Sequence, residues 1–436
     1  MSSRFKRTAP LLLALTVAVG VMFLLQQKNS SPPPTPPPAT DTPAPPSPAL
    51  SVLAEMPDWS SLNAFQNTIT RPDFERLLTT VFVTGGAWRN FIEIDDREAR
   101  IRTGNDRESE VFHLRFAPEG LAETTPRHWR MTSELPPAPA GKPLDGIHIA
   151  IDPGHIGGEW AKVEERWLQI DGGTPILEGD MTLLVARLLQ PQLEAMGAKV
   201  SLVRDSSEPV TPLRPDSLVT LAKESQAPAD SPAALQKFAE RLFYRTAEIR
   251  ARAKRVNETI KPDLVLCLHF NADPWGDPAN PTLVERTHLH LLLNGAYTDE
   301  EVSLADQRFA LLEKLLSRTH EEEAKVGATV ADVFAQASGL PPFLYPPGST
   351  NALPVNGHPY LWARNLLANR LYDCPVIFME PYVMNSTIDH PRLQAGDYEG
   401  LREIEGKLHP SIFREYADAL AKGLENHYST HRSSTR

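Results

Sequence analysis

The sequence predicts an α/β protein: a mainly parallel twisted sheet with helices on both faces, preceded by a small α+β domain and an N-terminal membrane anchor. Three observations lead there. From residue 146 onward, short apolar runs alternate with amphipathic helical runs, the pattern of strand–helix–strand units. Two of the apolar runs, Ile149-Ala150-Ile151 and Leu264-Val265-Leu266-Cys267-Leu268, lead into histidines, His155 and His269. The chain also opens with Arg4, Lys6 and Arg7 ahead of an uncharged, mostly apolar stretch from Ala9 to Leu25.

That stretch is just long enough to span a bilayer, and its basic flank places the N-terminus in the cytoplasm. A cleaved signal peptide is the competing reading. Val19-Gly20-Val21-Met22 offers no small-x-small cleavage pattern and the apolar run continues beyond it, which favours an uncleaved anchor within residues 1–30. Either way, the remainder of the chain is expected outside the cytoplasm. Residues 31–50 read as a linker, because ten prolines fall between Ser31 and Pro48 and such a segment cannot build a core. In polyproline II, at about 3.1 Å per residue, it would reach roughly 50 Å.

Residues 51–133 read as a small α+β domain of unassigned role. Arg71-Pro72-Asp73-Phe74-Glu75-Arg76-Leu77-Leu78 has the pattern of a short helix, and residues 91–94, 99–102 and 111–116 alternate like half-exposed strands. His113 is expected on their outer side. Proline-rich residues 134–145 form a second linker, residues 146–428 the main domain and residues 429–436 a tail. In the main domain, Met181, Leu184, Val185, Leu188 and Leu189 recur at helical spacing, with Asp180 as the expected N-cap. Residues 198–203 return as a strand, and residues 246–260 form a basic helix leading to the His269 strand. A strand holds Leu289, Leu291 and Leu293, and Thr298-Asp299-Glu300-Glu301 is a capping box before a long helix. Val376-Ile377-Phe378-Met379 is a further strand, ending on Glu380, and an amphipathic helix over 411–427 closes the domain.

Composition narrows the function. A net charge of −11 argues against nucleic acid or an anionic membrane surface as the main partner. Cys267 and Cys374 lie in or beside buried strands and read as two core thiols, with one bridge as the alternative. Two imidazoles and carboxylates at strand ends are the ingredients of a hydrolytic zinc centre with one open coordination position. Open sheets place their ligand sites at that edge.

The order of motifs resembles the zinc-dependent N-acetylmuramoyl-L-alanine amidases. Ile151-Asp152-Pro153-Gly154-His155 matches the strand opening that family's catalytic domain, with Ile156 interposed before Gly157-Gly158. Glu178-Gly179-Asp180-Met181 is similar to its Glu at the start of a helix, and Leu202-Val203-Arg204-Asp205 to its strand ending in Thr-Arg-Asp. His269-Phe270-Asn271-Ala272 matches its second histidine motif, and Glu380-Pro381-Tyr382-Val383-Met384-Asn385 its final Glu motif, with Pro381 in place of glycine. The likeness covers the main domain and says nothing about residues 1–145. It implies that His155, Glu178 and His269 ligate Zn2+ and that Glu380 is the catalytic carboxylate, taking a proton from the attacking water and passing it to the leaving amine. It also implies a peptidoglycan substrate, cut between N-acetylmuramic acid and L-alanine by an enzyme of the cell envelope; with the N-terminal anchor, the expected place is the cytoplasmic membrane with the catalytic domain periplasmic. A regulatory protein partner is left open. The alternatives are another zinc amide or peptide hydrolase on the same scaffold, and a non-catalytic wall-binding module.

The longer interval between His155 and Glu178 adds Glu159, Glu164 and Glu165, which compete with Glu178 as third ligand. Glu178 is preferred because it alone directly precedes the matching helix. The others read as a solvated charged loop or, more sharply, as a lid lending a carboxylate to the metal. Asp152 and Asn271, next to the ligands, are expected to hydrogen-bond the imidazole N–H groups from behind, with turn capping as the alternative. His358 is a secondary candidate for substrate contact. His148 reads as structural, and His288 and His290 as a same-face pair with a packing role. Residues 206–241 read as a surface excursion. Residues 327–370 are either a groove wall for glycan or peptide or a loop pinned by proline turns.

Overall fold

The computed structural model describes residues 50–106, 109–225 and 231–432, so the expected anchor and most of the first linker lie outside the described residues. Among those described, no helix is long and apolar enough to cross a membrane. Pro48–Arg436 makes up one compact unit.

The first part carries helix α1 (Arg71–Leu77), N-capped by Thr70, and an antiparallel sheet of β1 (Ile92–Ile94), β2 (Glu98–Arg102) and β3 (Val111–Arg115). The strands alternate as expected: Phe112 and Leu114 point inward while His113 faces out and meets Glu98 at 3.1 Å. This sheet does not enclose a core by itself. Phe74, Phe82, Ile101 and Leu114 share one apolar cluster with Tyr297, Val302, Leu311, Leu312 and Leu315 from the later chain. Within residues 134–145 Leu135 and Leu144 are buried, while residues 139–142 are exposed.

The main sheet has seven strands. In chain order its region contains β4 (His148–Pro153), the hairpin β5 (Trp167–Leu168) and β6 (Ile176–Leu177), helix α2 (Glu178–Ala195) and β7 (Lys199–Leu202). Next come helices α3 (Pro232–Leu242) and α4 (Glu248–Lys254), joined and followed by π-helical turns so that residues 232–260 form one continuous rod. The expected excursion therefore ends at Pro232, earlier than the sequence reading. After β8 (Leu264–Leu268) and β9 (Leu289–Leu293) come α5 (Ala305–Ser317), α6 (Thr319–Ser338), β10 (Leu353–Pro354), β11 (Leu361–Ala363), β12 (Val376–Pro381) and α7 (Ile412–His431). The last helix passes the expected boundary at 428. Residues 327–338, expected in the loop-rich region, belong to α6.

Strand order is β10-β11-β9-β12-β8-β4-β7. The pairs β7–β4, β4–β8 and β8–β12 are parallel, whereas β9 runs antiparallel to β12 and takes β11 with it. The sheet is mainly parallel at its centre and mixed beyond β12. Helices cover both faces. Ile149, Ile151, Leu266, Ile377 and Met379 pack with α2, α6 and α7, while Ala150, Val265, Cys267, Val376 and Phe378 pack with residues of the 232–260 rod such as Ala253 and Val256. By strand alternation Asp152, His269 and Glu380 fall on this second face, at the C-terminal edge of three adjacent parallel strands.

Candidate metal centre

Strand β4 delivers its turn at the height where β8 ends: Gly154 N donates to Leu268 O at 2.8 Å, and His269 N donates to Met379 O at 3.1 Å. His155 adopts a left-handed φ of 59°, costly for a residue with a side chain and the means by which the turn swings its imidazole over the edge. A Cβ at position 154 would strike the His269 ring, so glycine is required for the two imidazoles to approach. Gly157 and Gly179 likewise touch backbone to backbone, docking the turn on the first turn of α2. Asp180 does not cap α2, whose N-cap is Leu177. Its carboxylate instead accepts from Gly158 N at 3.0 Å and Ser207 Oγ at 2.6 Å, fastening the glycine turn to the helix.

His155, Glu178 and His269 converge. One ligand-type atom from each lies within 4.8 Å of the others. Glu178 Oε2 stands 3.2 Å from His155 Nε2, and its Oε1 stands 3.2 Å from His269 Nδ1. The ring centroids are 5.1 Å apart, nearly perpendicular, and Phe378 stacks on His269 at 4.3 Å. Glu178 is held by Phe270 N, which donates to Oε1 at 3.2 Å, and by its own N–H, which donates to Arg166 O at 3.2 Å.

Electrostatics sort the members. Burial would raise Glu178, but the two imidazoles bring it down to about 2, so the carboxylate is ionised. Burial pushes His155 well below the usual imidazole value, against the opposing pull of the Glu178 carboxylate. At His269 burial acts the same way but is outweighed by the Glu178 hydrogen bond and the Glu380 and Glu178 charges, which raise it. Glu380 lines the same cavity, of about 340 Å³, with both histidines. Burial lifts its carboxyl to about 7, partly offset by His269, which poises it to exchange a proton near neutrality.

Two expected supports sit elsewhere. Asp152 does not reach an imidazole N–H. It accepts from Arg252 Nη1 at 2.9 Å and Tyr372 OH at 2.5 Å. Arg252 in turn donates to Pro153 O at 2.7 Å, His155 O at 2.6 Å and Glu248 at 2.8 Å, so the acidic residue fixes the histidine turn through a buried guanidinium. Arg204 adds a second clasp, donating to Gly179 O at 2.7 Å. Asn271 likewise leaves His269 alone: its Oδ1 accepts from Ala272 N and its amide nitrogen lies 3.3 Å from His290 Nδ1. Arg252 was visible in the sequence only as one charge of a basic helix, although Glu248 four residues earlier marked a same-face pair.

Of the three added carboxylates, one reaches the centre. Glu164 is buried, accepts from Ile156 N at 2.9 Å, and lies 3.8 Å from His155 Nδ1. Glu159 is exposed at the start of the short helix Trp160–Val163. Glu165 pairs with Lys237 at 3.0 Å and accepts from Tyr244 OH at 3.3 Å, tying the insertion to the long rod. His358 bonds Asp332 of α6 at 3.2 Å, on the sheet face opposite Glu380. His290 is the register partner of Glu380 and stacks on Phe343 at 4.7 Å, while His148 bonds Ser201 at 2.9 Å. Cys267 and Cys374 are free and buried.

The donors suit zinc. Tetrahedral coordination at about 2.0–2.2 Å sets ligand atoms roughly 3.4 Å apart. Two imidazoles and an ionised carboxylate, within 4.8 Å of one another, are within small side-chain adjustments of that spacing.

No family model matches the sequence, and neither does any curated protein. Among solved structures, the chain is similar to the apo form of the N-acetylmuramyl-L-alanine amidase Ami1 from Mycobacterium abscessus, at 17% identity and TM-score 0.37, over 65% of this chain and 99% of that one. The Ami1 amidase of Mycobacterium smegmatis gives 16% and 0.36, over 66% and 99%. The CwlD amidase of Clostridioides difficile, solved in complex with the GerS lipoprotein, gives 12% and 0.36, over 65% and 99%. These likenesses are too remote to carry an argument about chemistry, which rests on the side chains at the strand ends.

Proposed function

We propose that this chain is a zinc-dependent N-acetylmuramoyl-L-alanine amidase, hydrolysing the amide between the lactyl group of N-acetylmuramic acid and the first stem-peptide residue of peptidoglycan. The observation that carries the reading is Glu178 gripped between His155 and His269, with Glu380 on the neighbouring strand lining the same cavity. His155, Glu178 and His269 would hold the metal, and Zn2+ so held would supply Lewis-acid chemistry, polarising a carbonyl and activating water. Glu380 would accept the proton of the attacking water and return it to the departing amine. Phe378 would keep the His269 ring in its plane, and Arg252 with Asp152 would hold the His155 turn. Glu164, through Ile156 N–H, would brace that turn from the insertion side.

The domain plan follows the sequence: an anchor within residues 1–30, a proline-rich spacer over 31–50, and the catalytic region over 146–428, working in the cell envelope outside the cytoplasmic membrane. A spacer of roughly 50 Å suits a substrate fixed in a layer away from the bilayer. The test is digestion of purified peptidoglycan with the zinc-loaded protein, followed by mass spectrometry of the new ends. Free stem peptides beginning with L-alanine are expected. Ends produced inside the peptide would transfer the protein to another amide hydrolase, and no cleavage at all would leave a wall-binding module.

A further inference from the structure

Three guanidiniums, Arg166, Arg245 and Arg252, line the cavity together with the carboxylates of Asp152, Glu164, Glu248 and Glu380, in a chain of net charge −11. Arg252 is fully engaged by Asp152, Glu248 and two carbonyl oxygens, and those two carboxylates are thereby neutralised. Two further guanidiniums, Arg166 and Arg245, line the same cavity as His155, His269 and Glu380. Arg166 comes from the insertion before Glu178, where its backbone is fixed by bonds to Ala161 O at 2.9 Å and from Glu178 N at 3.2 Å. Its guanidinium makes no hydrogen bond among the described residues. It forms an ion pair with Glu178 Oε2 at 3.7 Å, beyond hydrogen-bond range, so its N–H donors stay open, and the side chain is 35% exposed. Arg245 comes from the long rod and is exposed. Among the described residues it has no carboxylate partner, only the Tyr244 ring at 5.5 Å.

Two unrelated elements thus present planar forks with open donors to one cavity. A guanidinium fork matches a carboxylate in shape and charge, and two forks with open N–H donors at one cavity suit an anionic ligand. We propose that Arg166 and Arg245 bind a free carboxylate on the peptide side of the scissile amide, making the site selective for acidic over amidated stem peptides. This inference rests on the amidase reading and names the form of substrate it takes.

The test compares two soluble muramyl dipeptides that differ at one group, the residue after L-alanine carrying either a free α-carboxylate or its carboxamide. With zinc-loaded native protein, kcat/KM is expected to favour the acid by roughly 10- to 100-fold, as for hydrogen bonds to a charged group. That ratio should shrink toward one in Arg245→Gln and Arg166→Gln. Arg245, on the surface of a helix, is the variant least exposed to a folding artefact. Calorimetric titration of the metal-free native protein with both peptides gives a readout independent of turnover, and tighter binding of the acid is expected there also. Equal cleavage and equal binding of the two peptides overturns the carboxylate site and leaves the amidase reading intact. Preferential binding of the acid without cleavage of either peptide supports the carboxylate site and overturns the amidase reading.

Discussion

At the scale of single residues, Glu380 is the group whose protonation the proposed reaction would use. Burial raises it to about 7 from an ordinary 4.5, and a bound dication would draw it back down. The acid limb of kcat/KM should therefore have its midpoint between those two values, with activity lost as pH falls through it. Glu380→Gln should abolish turnover, by about 10²-fold or more, while zinc content measured by atomic emission stays at one ion per chain. His155→Ala should do the reverse: the metal is lost first, because a carboxylate and one imidazole cannot close the set. Arg252 makes a different prediction. It is buried with Asp152 and Glu248 at 2.9 and 2.8 Å, so Arg252→Ala strands two carboxylates and should destabilise the protein by about 3–5 kcal/mol in denaturant titrations.

Between elements, the contact of α6 with β12 carries its own pH signature. Glu323 on α6 accepts from Val376 N at 3.0 Å. Burial raises its carboxyl to about 7 despite the nearby Lys314 charge. Above the ordinary 4.5 the unfolded chain has released this proton while the folded one keeps it. The stabilising contribution is complete below 4.5 and is lost as pH rises through about 7. Glu323→Gln should therefore flatten the fall in stability of the metal-free protein between about pH 5 and pH 8, by roughly 1–3 kcal/mol of urea-unfolding free energy. An unchanged slope would mean the carboxyl reaches solvent or Lys314 in solution. Glu164 and Glu380 titrate in the same sense, so a residual slope is expected.

For the molecule as a whole, the first part is fused to the later chain chiefly through the apolar cluster it shares with α5, with Trp129 buried against the main sheet as a second contact. Leu311, Leu312 and Leu315 of α5 are fully buried, and their neighbours in that cluster include Phe74, Phe82, Ile101 and Leu114. Removing residues 51–133 would expose this stripe of α5. The shortened protein should aggregate or melt well below the full chain in differential scanning calorimetry, although every proposed site residue is retained. If it instead melts as before, the shared cluster contributes little, and residues 51–133 are a dispensable appendage.

The alternation of apolar runs made the α/β class legible, and the residues flanking the strand ends picked out His155, His269 and Glu380, because a buried strand must stop where its first polar, turn-forming residues begin; Glu178 came from the resemblance to the amidases. Strand direction was not legible: β9 is as apolar as β8, since burial on both faces imposes the same composition whether a strand runs parallel or antiparallel. Nor were the supports. Asp152 and Asn271 adjoin the ligands in sequence yet bond elsewhere, and the groups that brace the centre, Arg252, Arg204 and Phe378, come from distant segments. Local sequence determines which side chains a strand end presents. Which charge they meet there depends on how remote helices dock across the sheet, and that is set by packing over the whole chain.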